Sequence, residues 1–234
     1  MTGFARAIAL GLTLLAAAPA VPQAAKPAAA ATDWSKTVVA TPLGLRLGNP
    51  AAPVQLIEYG SYTCPTCKRF KDEGFAPLLS RYVATGKVSF EFRVLPVHGA
   101  VDAALSQLVN CQAPAAGWAT TVAAFAQQDT ITNAFVKIPE ARYTAVQKLP
   151  PEQALLVLAQ EGGLAPFAAS RGLAKARFAQ CLTSKAGLAR LEAASGSAEA
   201  FRINSTPRFV LNGLHQEGIN DWGSLRQLID AALE

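Results

Sequence analysis

The feature that most constrains this chain is a change of hydrophobic pattern on either side of two closely spaced cysteines. Residues 54–59 form an apolar run typical of a buried strand, and residues 68–82 are predicted to be helical. Between them stands Cys64-Pro65-Thr66-Cys67, in which Pro65 suits the first turn of a helix because no N–H is needed there. The helix dipole and the free N–H groups of that turn favour a thiolate at Cys64, so the pair is suited to thiol–disulfide exchange.

The remaining pattern predicts a sheet whose two halves are separated by helices. Residues 88–95 alternate between apolar and polar side chains, as in a second strand, while residues 98–199 repeat apolar positions at helical spacing and predict four or five helices. Strand signal returns over 208–219, where an Asn-Gly pair is typical of a hairpin turn. A last helix is expected after Asp221, which suits an N-cap. We therefore expect an α/β fold with one mixed sheet and an inserted helical block.

Two other segments are expected to be irregular. Gly74 and Pro77 interrupt the helix that follows the cysteine pair and predict a kink or break between them. Residues 33–53 carry apolar side chains among Pro and Gly residues, so we expect them to add an edge strand or a turn before the first core strand.

The first 20 residues have the pattern of a secretory signal peptide. Arg6 provides a positive charge, residues 7–18 are apolar, and residues 18–20 supply the small side chains found at cleavage sites. The apolar run is shorter than the ~20 residues that span a membrane. We expect cleavage after Ala20, with Ala25 as the alternative, and a periplasmic protein in a compartment where disulfides form.

The rest of the composition argues against a nucleic-acid partner. Without Arg6, 20 of the 21 basic residues remain against 16 acidic ones, a net charge of +4, and the basic residues are scattered. Residues 21–32 are rich in Ala and Pro and are expected to be flexible. We assign 21–50 as a whole to a flexible leader and lead-in segment.

The four cysteines divide into two pairs by their spacing. Cys64 and Cys67 form an exchanging dithiol, a structural disulfide or half of a zinc site, although a four-cysteine zinc site usually has a second close pair. Cys111 and Cys181 each lie in a predicted amphipathic helix and are expected to form a structural disulfide. Two buried free thiols or a second redox centre are the alternatives for this pair. We favour exchange at the first pair and expect no metal site.

These features, in this order, resemble the DsbA-like proteins, which are exported thioredoxin-fold disulfide oxidoreductases with a helical insertion. The resemblance extends from Leu47 to Leu233 and includes Thr206-Pro207 before the last hairpin. It implies a thioredoxin-like mixed sheet with an inserted all-helical domain. The first part of the thioredoxin-like domain is expected over 51–97, the insertion over 98–199 and the second part over 200–234.

The spacing and the resemblance also assign roles at the candidate site. Cys64 is expected to be the exposed nucleophile and Cys67 the more buried resolving thiol. Glu58, six residues before Cys64, corresponds to an acidic position that relays a proton. An extended substrate segment is expected to contact four residues beside the reactive sulfur: Pro65, Thr66, Thr206 and a cis-Pro207.

Two further groups of residues lie outside this assignment. The two histidines, His98 and His215, stand apart from the cysteine pair in the sequence and are expected to have surface or packing roles. Tyr62, Phe70 and Phe75 flank the predicted active-site helix and indicate an apolar docking surface for unfolded chains, with core packing as the alternative for Phe70.

The resulting hypothesis is a thiol:disulfide oxidoreductase that introduces disulfides into exported proteins and needs no cofactor beyond its own cysteine pair. The resemblance implies reduced or unfolded exported proteins as substrates and a membrane quinone-linked thiol oxidase as the reoxidation partner. The most oxidising members carry His where this chain has Thr66, which predicts a moderate potential. The alternatives are a reductase or isomerase on the same fold, or a non-enzymatic chaperone. Residues 21–53 are too few for a dimerisation domain, so a monomer is expected.

Overall fold

The structure, a computed structural model, describes residues 32–234. The predicted signal peptide over 1–20 and the leader up to residue 31 lie outside the described residues. In the described part of the chain no helix combines the length and the apolar character that a membrane crossing requires.

Residues 32–234 contain one mixed sheet of six strands. The strands are β1 (Val38–Ala40), β2 (Leu45–Leu47), β3 (Val54–Gly60), β4 (Val88–Val94), β5 (Arg208–Leu211) and β6 (Leu214–His215). Their order across the sheet is β1-β2-β4-β3-β5-β6, with β3 and β4 parallel and every other neighbouring pair antiparallel. The central position of β3 explains its apolar sequence, because a strand with a neighbour on each side and covered faces is buried. The predicted mixed α/β sheet is confirmed.

Part of the segment assigned to a flexible lead-in belongs to the sheet. β1 pairs with β2, and β2 pairs in turn with β4, where Leu47 lies opposite Phe90. Leu45 and Leu47 are buried, and this burial fixes the face that β2 turns toward the core. At the other edge, β6 is shorter than the predicted 214–219, and its first residue, Leu214, is exposed.

The helix after the cysteine pair is continuous but irregular. It begins as α1 (Pro65–Phe70), widens to a π-helical turn over Lys71–Phe75, returns to α2 (Ala76–Leu78) and widens again over Leu79–Val83. Pro77 lies just after the first π-helical turn. The irregularity that the sequence predicts therefore appears as π-helical turns rather than as a break in the helix. Gly74 allows the helix to approach Trp222, since a Cβ at Gly74 would lie 2.8 Å from the Cβ of Trp222.

A block of eight helices separates β4 from β5, more than the four or five predicted. Their bounds are α3 (Ala100–Asn110), α4 (Pro114–Ala126), α5 (Gln128–Val136), α6 (Glu140–Val146), α7 (Pro151–Glu161), α8 (Leu164–Ser170), α9 (Lys175–Leu182) and α10 (Lys185–Ala200). Some boundaries carry no strong breaker residue: the joint between α4 and α5 is Gln127 alone. After β6, α11 (Trp222–Ala231) begins at Asp221, whose carboxylate accepts from the N–H of Ser224, as an N-cap does.

The helical block and the sheet share one hydrophobic core. The ring of Tyr62, which precedes the cysteine pair, lies 5.6 Å from that of Phe92 in β4 and 5.7 Å from that of Phe125 in α4. Tyr62 and Phe70 are each 1% exposed, so the expected docking role for these two residues is wrong, and both pack in the core. The block is also cross-linked internally, since a disulfide joins Cys111 at the end of α3 to Cys181 in α9.

Candidate active site

Cys64 lies at the junction between strand and helix that the sequence pattern predicts. β3 ends at Gly60, and four residues later Cys64 takes an extended backbone conformation as the N-cap of α1. The N–H of Cys67 donates to the Sγ of Cys64 over 3.4 Å, and Pro65 occupies the first helical turn. The sulfur therefore takes the place of the oxygen of a capping side chain, at the positive end of the helix dipole.

The two thiols of this pair are unbonded in the structure and occupy different environments. Cys64 is 7% exposed and Cys67 is fully buried. Cys64 is therefore the more accessible of the two, but the expectation of an exposed nucleophile is too strong, because most of its surface is buried.

The acidity of the two thiols differs in the same sense. A hydrogen bond from the Cys67 side chain is the largest cause that lowers the pKa of Cys64 to about 5. Hydrogen bonds from Thr206 and from the N–H groups of Cys67 and Thr66 lower this pKa further, against the opposing effect of burial. Burial is the main cause that raises the pKa of Cys67 well above its ordinary value, with added contributions from Cys64 and Glu58.

The Thr206–Pro207 turn lies directly beside the sulfur of Cys64. The peptide bond between these residues is cis, as the resemblance implied. Because β5 runs antiparallel to β3, the residues before it return to the end of β3 that leads to Cys64. The Sγ of Cys64 is 3.3 Å from the carbonyl oxygen of Thr206. Thr206 is half-buried and Pro207 is buried, while Pro65 is exposed and Thr66 is half-buried.

Glu58 is a fully buried carboxylate within β3, and it forms an ion pair with Lys71. Burial is the first cause that raises the pKa of Glu58, and the charge of Lys71 opposes that rise. Among the described residues, Oε1 of Glu58 has no hydrogen-bond partner, whereas Oε2 accepts from Lys71. Glu58 is thus a buried carboxylate with one oxygen available.

Lys71 is a site residue that the sequence analysis missed. Its ammonium lies 4.7–5.9 Å from the centres of six aromatic rings: Phe70, Phe75, Phe90, Phe92, Trp118 and Phe125. A cavity of about 150 Å³, lined in part by the exposed Val122, lies against this lysine. Lys71 is four residues after Cys67, a helical spacing that places it on the same face, and that was the available signal.

The loop from Ser61 to Cys64 is held by two residues of the helical block that the sequence did not single out. The buried carboxylate of Asp102 accepts from the hydroxyl of Ser61 at 2.8 and 3.0 Å. The side-chain amide of Gln128 donates to the carbonyl oxygens of Tyr62 at 2.7 Å and Cys64 at 3.1 Å.

His98 lies at this loop rather than apart from it. Its Nδ1 is 2.7 Å from the hydroxyl oxygen of Thr63, and its ring is exposed. His98 is at the surface, as expected, but it is not remote from the cysteine pair, because its ring contacts Thr63, the residue before Cys64. Within residues 32–234 no group of three or more His, Cys, Asp or Glu side chains is arranged to hold a metal ion.

Comparison with known proteins places this architecture. The thioredoxin family model matches residues 40–231. The chain is 38% identical over 53 residues to disulfide bond formation protein D of Bacillus subtilis. This matched segment covers 23% of this chain and 24% of that protein. It is 27% identical over 190 residues to a Rickettsia conorii protein named as a protein-disulfide oxidoreductase, which covers 80% of this chain and 60% of that protein. The chain thus spans less than two thirds of either curated relative.

A solved structure matches over a larger share of its length. The crystal structure of a protein-disulfide isomerase from Novosphingobium aromaticivorans superposes with a TM-score of 0.75 at 29% sequence identity, over 81% of this chain and 96% of that one. The family match covers most of the sequence, and the fold includes the cysteine junction, the cis-proline turn and the helical block between β4 and β5. This chain therefore belongs to the thioredoxin family, as one of its DsbA-like members with a helical insertion.

Proposed function

We propose that the protein is a periplasmic thiol:disulfide oxidoreductase that introduces disulfides into exported proteins through Cys64 and Cys67. The observation that carries this proposal is the contrast between the two thiols. The pKa of Cys64 is lowered to about 5, chiefly by the hydrogen bond from Cys67, while burial raises the pKa of Cys67. A sulfur of low pKa is a good leaving group, so a mixed disulfide through Cys64 is resolved readily by a second thiolate.

The exchange proceeds in two displacements. A substrate thiolate attacks Sγ of Cys64 in the oxidised protein, forms a mixed disulfide and breaks the bond between Cys64 and Cys67. Cys67 departs with the electron pair of that bond and takes up a proton. A second substrate thiolate then attacks the substrate sulfur of the mixed disulfide, and Cys64 departs as a thiolate. The substrate gains one disulfide, and two electrons pass to the protein.

The substrate segment is proposed to lie in extended form along the Thr206–Pro207 turn. The carbonyl oxygen of Thr206 is already 3.3 Å from Sγ of Cys64, so a peptide that pairs with this backbone brings its own cysteine to the sulfur. Pro65 and Thr66 follow Cys64 directly in the chain and are proposed to limit the approach of the substrate. This mode depends on backbone contacts and therefore accepts many sequences.

Glu58 is proposed to supply the proton that Cys67 takes up. Its pKa is raised by burial, so it holds a proton more readily than an exposed glutamate, and its charge acts on Cys67. The Glu58→Gln variant is expected to slow the first displacement at neutral pH without changing the alkylation rate of Cys64. Glu73→Gln, which alters an exposed acid in the helix that follows the cysteine pair, is the matched control. An equal effect of both variants would exclude the proton role.

The direction of net transfer separates the donor from the second candidate function, a disulfide isomerase or reductase. The similarity to a protein-disulfide isomerase at 29% identity favours this second candidate specifically. Oxidised protein is mixed in equal amount with a reduced peptide that carries two cysteines, and alkylation followed by mass spectrometry reads both partners. A donor leaves the peptide oxidised and Cys64–Cys67 reduced. Activity confined to insulin reduction or to scrambled ribonuclease would instead support the second candidate.

The substrates and the reoxidation partner follow from the same proposal. Reduced or unfolded exported proteins supply the thiols, and a membrane quinone-linked thiol oxidase restores the Cys64–Cys67 disulfide. No cofactor other than this pair is required. The redox form of Cys64–Cys67 in cells measures the balance directly, because a donor is kept oxidised and a reductase or isomerase is kept reduced.

A further inference from the structure

The short loop before Cys64 forms hydrogen bonds among Ser61, Thr63 and Cys64, and residues of the helical block supply further partners. Between the end of β3 and the start of α1, Ser61 and Thr63 present hydroxyl groups, and Tyr62 and Cys64 present carbonyl oxygens. All of these groups are buried, so each one left without a partner would carry a desolvation cost. The helical block supplies a partner of the right kind to each.

Asp102 is the partner of the hydroxyl groups. It stands in the first turn of α3, is fully buried, and accepts from Ser61 at 2.8 and 3.0 Å and from Thr63 at 3.3 and 3.4 Å. The N–H of His98 donates to the same carboxylate at 3.2 Å. No other carboxylate accepts from this loop among the described residues. Asp102 therefore holds the loop through the side chains of Ser61 and Thr63.

Gln128 is the partner of the carbonyl groups. It is the first residue of α5 and is 4% exposed. Its amide donates to the carbonyl oxygen of Tyr62 at 2.7 Å and to that of Cys64 at 3.1 Å. Gln128 therefore holds the peptide group before Thr63 and the peptide group after Cys64. The oxygen of Cys64 also accepts from the N–H of Lys68 in the first turn of α1, at 3.1 Å. Gln128 thus fixes the backbone of Cys64 relative to the helix that caps its sulfur.

We infer that Asp102 and Gln128 are positioning residues that hold Cys64 in line with the N–H of Cys67, so that the helical block sets the reactivity of the thioredoxin-like site. This inference rests on the proposed function, and neither residue touches the reacting sulfurs. The capping contact of 3.4 Å requires the N–H of Cys67 to point at Sγ of Cys64, so a rotation of the Cys64 backbone weakens it. The thiolate then loses a donor, and the reduced form loses stability relative to the oxidised form.

The test compares Gln128→Met with Gln127→Met, and Asp102→Asn with Asp129→Asn. Gln127 and Asp129 are exposed neighbours of Gln128, so they control for a change of residue type without contact to the loop. Methionine keeps the length of glutamine but donates no hydrogen bond. In Gln128→Met and Asp102→Asn we expect the pKa of Cys64 to rise by about one unit, measured from the alkylation rate against pH. The equilibrium with glutathione should shift about tenfold toward the disulfide, which corresponds to about 30 mV.

The comparison of oxidised and reduced protein separates positioning from a merely structural role. A structural role lowers the free energy of unfolding of both redox forms equally and leaves the potential unchanged, and that result would overturn the inference. A larger loss in the reduced form of Gln128→Met supports it, and this variant decides the matter even where Asp102→Asn fails to fold. Alkylation needs no protein substrate, so an unreactive Cys64 in the unaltered protein would instead count against the proposed function.

Discussion

The two cysteine pairs of this protein lie at opposite ends of helices, and their chemistry differs accordingly. Cys64 is the N-cap of α1, where the Cys67 N–H points at its sulfur, whereas Cys111 is the C-cap of α3, where the free backbone groups are carbonyls. A helix N-terminus stabilises a thiolate and a C-terminus does not. The first pair is thus equipped to open and close, and the second pair is placed to stay closed.

Separation along the chain reinforces this contrast. Cys64 and Cys67 are separated by two residues in one helical turn, so their disulfide removes little freedom from an unfolded chain. Cys111 and Cys181 are 70 residues apart, and their disulfide closes a loop that contains α4 to α8. The comparison teaches that reactivity arises from the groups around a sulfur, while stabilisation arises from the length of chain that a disulfide encloses.

The largest expected effect is on exchange itself. Cys64→Ser is expected to abolish disulfide transfer to a reduced peptide, because no other sulfur of this site reaches the substrate. Cys181→Ser is the matched control, since it removes a cysteine of the other pair. Cys67→Ser is expected to accumulate a mixed disulfide through Cys64, visible by mass spectrometry. Transfer at the normal rate by Cys64→Ser would refute the division of roles between the pairs.

The next effect is on stability and concerns the other pair. Replacement of both Cys111 and Cys181 by Ala is expected to lower the free energy of unfolding by about 4 kcal/mol, the chain-entropy value for a loop of this length. Urea unfolding of the double variant measures this loss. The Cys64→Ala and Cys67→Ala double variant, measured against the oxidised protein in which Cys64 is not a thiolate, serves as the comparison and is expected to lose far less. If the two double variants were equally destabilised, loop length would not be the governing factor.

Much of this contrast was accessible from the sequence, because it depends on local pattern. About 30 residues contain the strand, the cysteine pair and the helix. The hydrophobic periodicity, the position of Pro65 and the spacing of the cysteines all predict the same strand-to-helix junction. The Thr206–Pro207 turn is distant in sequence and was placed beside Cys64 by resemblance alone. The pairing of β5 with β3 is what brings the two together.

The groups that tune the site were not accessible in the same way. Asp102, Gln128 and Lys71 make hydrogen bonds or ion pairs with residues distant in the sequence. The periodicity of a helix indicates which of its residues are buried but not which partners they contact. The count of helices failed for a related reason. Boundaries such as Gln127 are set by packing of the helical block rather than by Gly or Pro.

The stability of the reduced protein is expected to depend on pH through Cys64 but not through Cys111 or Cys181. The pKa of Cys64 is lowered to about 5 in the folded protein from an ordinary value of 9.0. Its thiolate therefore stabilises the fold fully above the ordinary value, and this contribution falls as pH decreases and is lost below about 5. The effect is on the order of a few kcal/mol.

Urea unfolding from pH 5 to pH 9, with only the Cys64–Cys67 disulfide reduced, measures this dependence. Cys64→Ser is the control, because serine does not titrate in this range while every other group remains. The slope of unfolding free energy against pH should be steeper in the unaltered reduced protein than in the control. Parallel curves for the two proteins would mean that Cys64 holds no stabilised thiolate.

The smallest expected effect concerns Thr66, the residue by which this chain departs from the most oxidising relatives. A histidine there adds a ring donor, and a positive charge when protonated, near the Cys64 thiolate, where Thr66 offers one hydroxyl group. Thr66→His is expected to raise the potential of the Cys64–Cys67 pair by about 30 mV, the equivalent of one charge-assisted hydrogen bond of about 1.4 kcal/mol. Thr183→His is the matched control: this half-buried threonine lies two residues after Cys181, which has no thiolate to stabilise. Equilibration with glutathione, with each pair read separately by mass spectrometry, should show a shift for Thr66→His only. A shift of similar size at Cys111–Cys181 in Thr183→His would mean that added charge alone, without a capped thiolate, is enough to change a potential in this fold.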